Sequence, residues 1–192
     1  MAGRGGTPRI ELVTTDGIFA LDGGEWEVTN NIWLVGDDRE VVVIDAAHDH
    51  VPIVDAVDGR RVAAIACTHG HNDHINAAAA LADTVDAPIW LHPADTMLWD
   101  AVYPDREADL DLADGEVLVA GGADVLFSGD TLFCGGPGAT GRSHSDFPTI
   151  IRSIRERLLS LPPQTIVHTG HGESTTVGDE APHLEEWIAR GH

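Results

Sequence analysis

Val62-Ala63-Ala64-Ile65-Ala66-Cys67-Thr68-His69-Gly70-His71-Asn72-Asp73-His74 decides how this chain is read. The first six residues are an apolar run of strand length, and the Ala-rich stretch from Ile75 to Leu81 favours helix. The H-x-H-x-D-H cluster between them therefore falls on a strand-to-helix loop. His69 and His71 sit two apart, so in extended backbone both rings reach one side, while Asp73 and His74 turn toward a second point nearby. Imidazole together with carboxylate suits a borderline divalent ion such as zinc better than calcium or magnesium. The cluster predicts a site for two neighbouring metal ions.

Working outward, strands are expected at 10–13, 18–21, 31–35 and 40–44, parted by turn signals such as Gly23-Gly24 and Gly36-Asp37-Asp38. After Asp45 strand and helix alternate: helix 51–57, strand 62–67, helix 75–84, strand 88–91, strands 117–120 and 125–127, helix 147–161, strand 165–168 and helix 182–190. Asp146 is placed to cap the long helix, with Pro148 in its first turn and Ile150, Ile151, Ile154, Leu158 and Leu159 as its apolar stripe. This order predicts an α/β layered domain covering 1–192, with the metal-type residues on loops that follow strands.

The chain has 192 residues, 43% of them hydrophobic, enough for a layered core without disulfides. No apolar run approaches the roughly 20 residues that span a bilayer, and the first residues lack the apolar centre of a signal peptide, so a cytoplasmic location away from membranes is expected. Cys67 and Cys134 form no C-x-x-C pair; Cys67 reads as a small core residue. The net charge is -21 and every basic residue is arginine, a field that repels phosphate backbones and disfavours nucleic-acid partners. Oligomeric state is left open.

Two later motifs extend the cluster. Val125-Leu126-Phe127-Ser128-Gly129-Asp130-Thr131 is an apolar strand ending in an aspartate, and Thr165-Ile166-Val167-His168-Thr169-Gly170-His171-Gly172 is another ending in a glycine-flanked histidine. With these in order the chain, from about Ile32 to Gly172, resembles the metallo-β-lactamase superfamily, most closely its glyoxalase II-like hydrolases. The resemblance implies a four-layer αββα sandwich with two divalent ions, zinc or alternatively iron. It assigns His69 and His71 to the first metal, Asp73, His74 and His171 to the second, and Asp130 to both. Asp45 resembles the aspartate that supports the ligands from behind. Asp73 and Asp130 are the implied catalytic carboxylates, and Arg142 and His144 are candidate contacts for an anionic substrate.

The family's first metal takes a third histidine from a turn ahead of the bridging aspartate, and no histidine lies between His92 and Asp130 here. The resemblance thus implies a missing segment, a strand pair with its turn, near 121–124. The implied chemistry is hydrolysis of a small-molecule thioester of a low-molecular-weight thiol by a metal-activated water. Glyoxalase II itself has a C-terminal helical substrate domain, and none is expected here. An iron persulfide dioxygenase and a non-catalytic metal-binding module are the alternatives.

Overall fold

The computed structural model describes residues 9–113 and 125–191. The expected strand at 117–120 and the gap expected near 121–124 lie outside the described residues. Two compact units account for the chain: one formed by described residues 9–19 and 26–113, the other by 20–25 and 125–191.

The first unit is a six-stranded sheet in the order β1-β2-β3-β4-β5-β6. Its opening hairpin is longer than its sequence suggests. The expected strands 10–13 and 18–21 are one continuous strand, β1 (Arg9–Leu21), and β2 (Gly24–Gly36) begins seven residues before the expected Asn31. Thr14-Thr15-Asp16-Gly17 reads as a turn, but an edge strand tolerates polar side chains, and buried Thr15 donates its hydroxyl to Ala47 O at 2.9 Å. The turn falls at Asp22 and Gly23, both at positive φ (53° and 77°), as a tight two-residue hairpin requires.

Beyond the hairpin, β3 (Glu40–Ile44) runs antiparallel to β2, and α1 (His50–Val57) carries the chain to β4 (Arg61–Ala66), parallel to β3. Then follow α2 (Asn72–Ile75), α3 (Ala78–Val85), β5 (Ile89–Leu91), α4 (Thr96–Val102) and β6 (Leu110–Asp111), the last two strands continuing the parallel ladder. Helices between strands are what parallel pairing needs. Strands covered on both sides read as continuous apolar runs, and Ile32, Leu34, Val41, Val43 and Ile65 are fully buried with Ile53, Leu81 and Ile89. The expected helix 75–84 is broken at Asn76-Ala77, because Ala77 N donates to Ala46 O at 3.0 Å instead of to the preceding turn. The helix α4 was not expected; it is short, and Trp99 buries its ring while donating Nε1 to Arg106 O at 2.6 Å.

The second unit holds β7 (Val125–Gly129), the small pair β8 (Leu132–Phe133) and β9 (Gly136–Pro137), α5 (Phe147–Ser153), β10 (Ile166–Thr169), β11 (Thr175–Thr176), α6 (Val177–Glu180) and α7 (Leu184–Arg190). Its sheet order is β11-β10-β7, with β10 parallel to β7. Asp146 caps α5 by accepting from Thr149 N at 2.9 Å. The expected helix 147–161 is shorter: after Ser153 it widens into a π-type turn, Ile154–Leu158, closed by Leu159 N to Ile154 O at 2.9 Å. That turn keeps Ile154 in the core beside Ile151, Leu132 and Trp187. The expected final helix 182–190 is α7, preceded by the separate turn α6. Among the described residues no helix is long and apolar enough to cross a membrane.

Candidate metal centre

In the first unit the polar residues gather beyond the carboxyl ends of β3 and β4, where parallel strands leave a crevice for ligands. Asp45 follows β3 directly and is held at φ 57°. Its Oδ1 accepts from Thr68 N at 2.7 Å, and its Oδ2 accepts from Thr68 Oγ1 at 2.8 Å and from His74 Nδ1 at 3.0 Å. A carboxylate only accepts, so the His74 proton sits on Nδ1 and the ring presents the Nε2 lone pair. The Thr68 hydroxyl proton goes to Asp45, so its oxygen accepts from His69 Nδ1 at 3.1 Å, leaving Nε2 of His69 as the lone pair too. One buried carboxylate thus sets the tautomer of two histidines.

These two nitrogens lie at ligand spacing from neighbouring candidate atoms. His69 Nε2 is 2.9 Å from His71 Nδ1, and His74 Nε2 is 3.5 Å from Asp73 Oδ2. Neighbouring ligands of a tetrahedral zinc with bonds of about 2.0–2.1 Å stand about 3.3 Å apart, so both pairs fit a divalent ion. Asp73 and His74 are buried on the short helix α2; His69 and His71 are partly open.

Gly70 lets this loop lie close to α4. A Cβ there would stand 2.9 Å from Leu98 Cβ and 3.0 Å from Asp95 O, atoms that cannot rotate away. Asp95 also receives the Gly70 N–H; burial nevertheless raises its carboxyl above the usual range, against the pull of that hydrogen bond and of His92 and His71. Gly70→Ala is expected to shift the loop, lower stability by roughly 1–3 kcal/mol and weaken metal binding, as denaturant melts and a cobalt titration would measure.

In the second unit the parallel pairing of β7 and β10, with Thr169 opposite Gly129, brings the residues after both strands together. Gly170 N donates to Gly129 O at 2.9 Å, and His171 Nε2 lies 3.6 Å from Asp130 Oδ1. This pair again has ligand spacing. Phe133 lies against the His171 ring, with centroids 6.1 Å apart, and the Gly135 turn that follows is tied by its N–H to the buried carboxylate of Glu180. His168 is not part of the pair: its ring stacks on Phe127 at 5.3 Å and its Nδ1 bonds Ser174 Oγ at 3.0 Å. Burial lowers its pKa below the ordinary value. The unfolded chain therefore takes up the proton first, so stability is full above about pH 6.5 and falls as pH drops through the lower folded value. His168→Gln is expected to remove that share of the acid sensitivity, read from denaturant melts between about pH 8 and about pH 5.

Arg142 and His144, the candidate substrate contacts, lie on an exposed loop beside Asp22, whose side chain accepts from Ser143 N at 3.0 Å. Hydrogen bonds from Ser143, reinforced by His144 and Arg142, hold the Asp22 carboxyl below its usual pKa. Both side chains therefore lie near a carboxylate of the chain itself. Cys67 is buried, which pushes its thiol well above the ordinary pKa and makes it a poor nucleophile; Cys134 is exposed. Two residues outside the expected set stand beside it: Asn30, which donates to Asp73 Oδ2 at 3.1 Å, and Phe19, whose ring lies 5.2 Å from that of His71 and 5.5 Å from Trp26. A polar pair, Asn30-Asn31, directly ahead of the apolar run Ile32-Trp33-Leu34-Val35 is the available signal for the first.

The sequence profile of the "Metallo-beta-lactamase superfamily" matches residues 26–115. The chain is 42% identical over 139 residues to an uncharacterized 11.5 kDa protein of Rhodococcus erythropolis, covering 72% of this chain and 91% of that one. It is 30% identical over 186 residues to hydroxyacylglutathione hydrolase GloC of Haemophilus influenzae, covering 78% and 87%. Among solved structures, BLEG-1 B3 metallo-beta-lactamase superposes with a TM-score of 0.72 at 26% identity, covering 88% of this chain and 98% of that one. A di-iron-bound form of TTHA1623 gives 0.66 at 30% identity, covering 80% and 93%. The α/β fold is that of these structures.

Proposed function

Because the chain belongs to the metallo-beta-lactamase superfamily, whose members are mostly metal-dependent hydrolases, we propose that it hydrolyses thioesters of a low-molecular-weight thiol. The observation that carries the reading is the set of three donor pairs, His69 with His71, Asp73 with His74, and Asp130 with His171, spaced at 2.9, 3.5 and 3.6 Å. We assign these side chains as ligands of divalent metal, zinc by donor chemistry, with iron a second candidate because the similar TTHA1623 structure is a di-iron form. Metal bound there would lower the pKa of a coordinated water from its bulk value toward about 7 and make hydroxide available at neutral pH.

The chain's own residues do the rest. Asp45 keeps Nε2 of His69 and His74 deprotonated, and Asp73, a carboxylate beside His74, would accept a hydrogen bond from the attacking water. Phe19 and Trp26 offer an apolar surface beside His71 for the body of a substrate. A thiolate leaves without a strong general acid, which favours thioesters over amides. The name of the GloC relative, a hydroxyacylglutathione hydrolase, supports the same class.

The test is a substrate panel run on protein of measured metal content: acyl thioesters of glutathione, mycothiol and coenzyme A, with a β-lactam and a phosphodiester alongside. Turnover confined to thioesters and lost on chelation is expected. Full thioester turnover after chelation, or none on any thioester, overturns the reading; oxygen uptake with glutathione persulfide and bound iron decides for a persulfide dioxygenase.

A further inference from the structure

A chain of hydrogen bonds in the first unit leads away from Asp73 to a histidine that the ligand set does not use. His48 stands at φ 58°, in the left-handed region that a residue with a Cβ seldom adopts. Opposite it is Gly17, where a Cβ would lie 2.1 Å from His48 Nδ1 and 2.3 Å from Cγ, so only glycine leaves room for the ring. An unfavourable backbone and a cleared space are thus both spent on one imidazole.

The direction of every bond in the chain follows from one backbone donor. His48 N donates to Asn76 Oδ1 at 2.6 Å, so the other end of that amide is the NH2 group. Asn76 Nδ2 lies 3.1 Å from His48 Nδ1 and donates to it, which puts the ring proton on Nε2. His48 Nε2 then donates to Asn30 Oδ1 at 2.9 Å, and Asn30 Nδ2 donates to Asp73 Oδ2 at 3.1 Å. Asn30 is fully buried and Asp73 nearly so. With its oxygen held by His48, Asn30 cannot flip and can present only an N–H to the carboxylate.

We infer that His48 is a positioning residue: clamped by Gly17 and Asn76, it locks the Asn30 amide and through it the rotation of the Asp73 carboxylate, and so tunes the affinity of the metal that Asp73 holds. This rests on the assignment of Asp73 as a ligand.

The experiment titrates metal-free protein with cobalt(II), following its visible absorption, for the unsubstituted chain, His48→Leu, His48→Gln and Asp73→Asn. Two equivalents are expected for the unsubstituted chain and loss of one in Asp73→Asn. His48→Leu should weaken one equivalent about 10- to 100-fold, and His48→Gln, whose amide N–H can replace Nε2–H, should bring it back to within about threefold of the original. Wild-type affinity for both equivalents in His48→Leu overturns the inference. Two intact equivalents in Asp73→Asn overturn the ligand assignment, and the inference with it. A long-range 1H–15N spectrum of the unsubstituted protein near neutral pH needs no variant to fold: it should show His48 as the Nε2–H tautomer, and an Nδ1–H tautomer refutes the direction of the chain.

Discussion

Asp130→Asn is expected to lower thioester turnover on the order of 10³-fold, equivalent to about 4 kcal/mol of lost electrostatic stabilisation, while leaving the fold intact. The side chain is 31% exposed, so an amide of nearly the same shape empties no core. Its backbone is held independently of the carboxylate: Thr131 N donates to Ser128 O at 2.9 Å, and Ser128 Oγ donates to Leu132 O at 2.7 Å. What disappears is one negative charge beside His171, and a neutral amide oxygen is a far weaker ligand for a hard or borderline divalent ion. Metal content should fall with activity, and melting should shift by no more than an exposed substitution usually causes, about 0.5 kcal/mol. Retained turnover with retained metal would remove Asp130 from the machinery.

The residues proposed as ligands stand out in the sequence because their signals are local. His69, His71, Asp73 and His74 follow a strand-like run within a few positions, and Asp130 and His171 each end one. The supporting contacts were hidden because they join distant parts of the chain: Asn30 meets Asp73 across 43 positions and His48 across 18. No spacing rule reveals such a pair; only the sheet, which sets β2 beside β3 and β3 beside β4, brings them together. The fold was legible where burial imposes a period, as in β3, β4 and α1. It is obscured where the sequence is locally ambiguous: polar residues inside the edge strand β1 mimic a turn, and the Ala-rich stretch after His74 hides the break at Asn76-Ala77, which depends on a remote acceptor, Ala46 O.

Asp45 separates stability from chemistry more sharply than any proposed ligand does. Asp45→Ala strands three donors at once, Thr68 N, Thr68 Oγ1 and His74 Nδ1, of which the last belongs to a fully buried ring. A loss of about 3–5 kcal/mol is expected, a large part of a typical domain's ~5–15 kcal/mol, so the variant should melt early and bind metal poorly for that reason alone. Asp45→Asn is the more telling change. Asparagine tolerates the left-handed backbone at φ 57°, and its Oδ1 can keep the bond from Thr68 N. Its NH2 group, however, now donates where Oδ2 accepted, so His74 must accept at Nδ1 and move its proton to Nε2. The Thr68 hydroxyl, receiving a bond instead of giving one, turns its proton on His69 Nδ1 and moves that ring's proton to Nε2 as well. Both rings then present N–H where lone pairs stood, as when an aspartate that holds a catalytic histidine is amidated and the wrong tautomer follows. The expected result is a variant that melts far closer to the unsubstituted protein than Asp45→Ala does, yet binds cobalt(II) at least about 10- to 100-fold more weakly. Equal metal affinity in Asp45→Asn and the unsubstituted chain would show that the two tautomers are not set by this carboxylate.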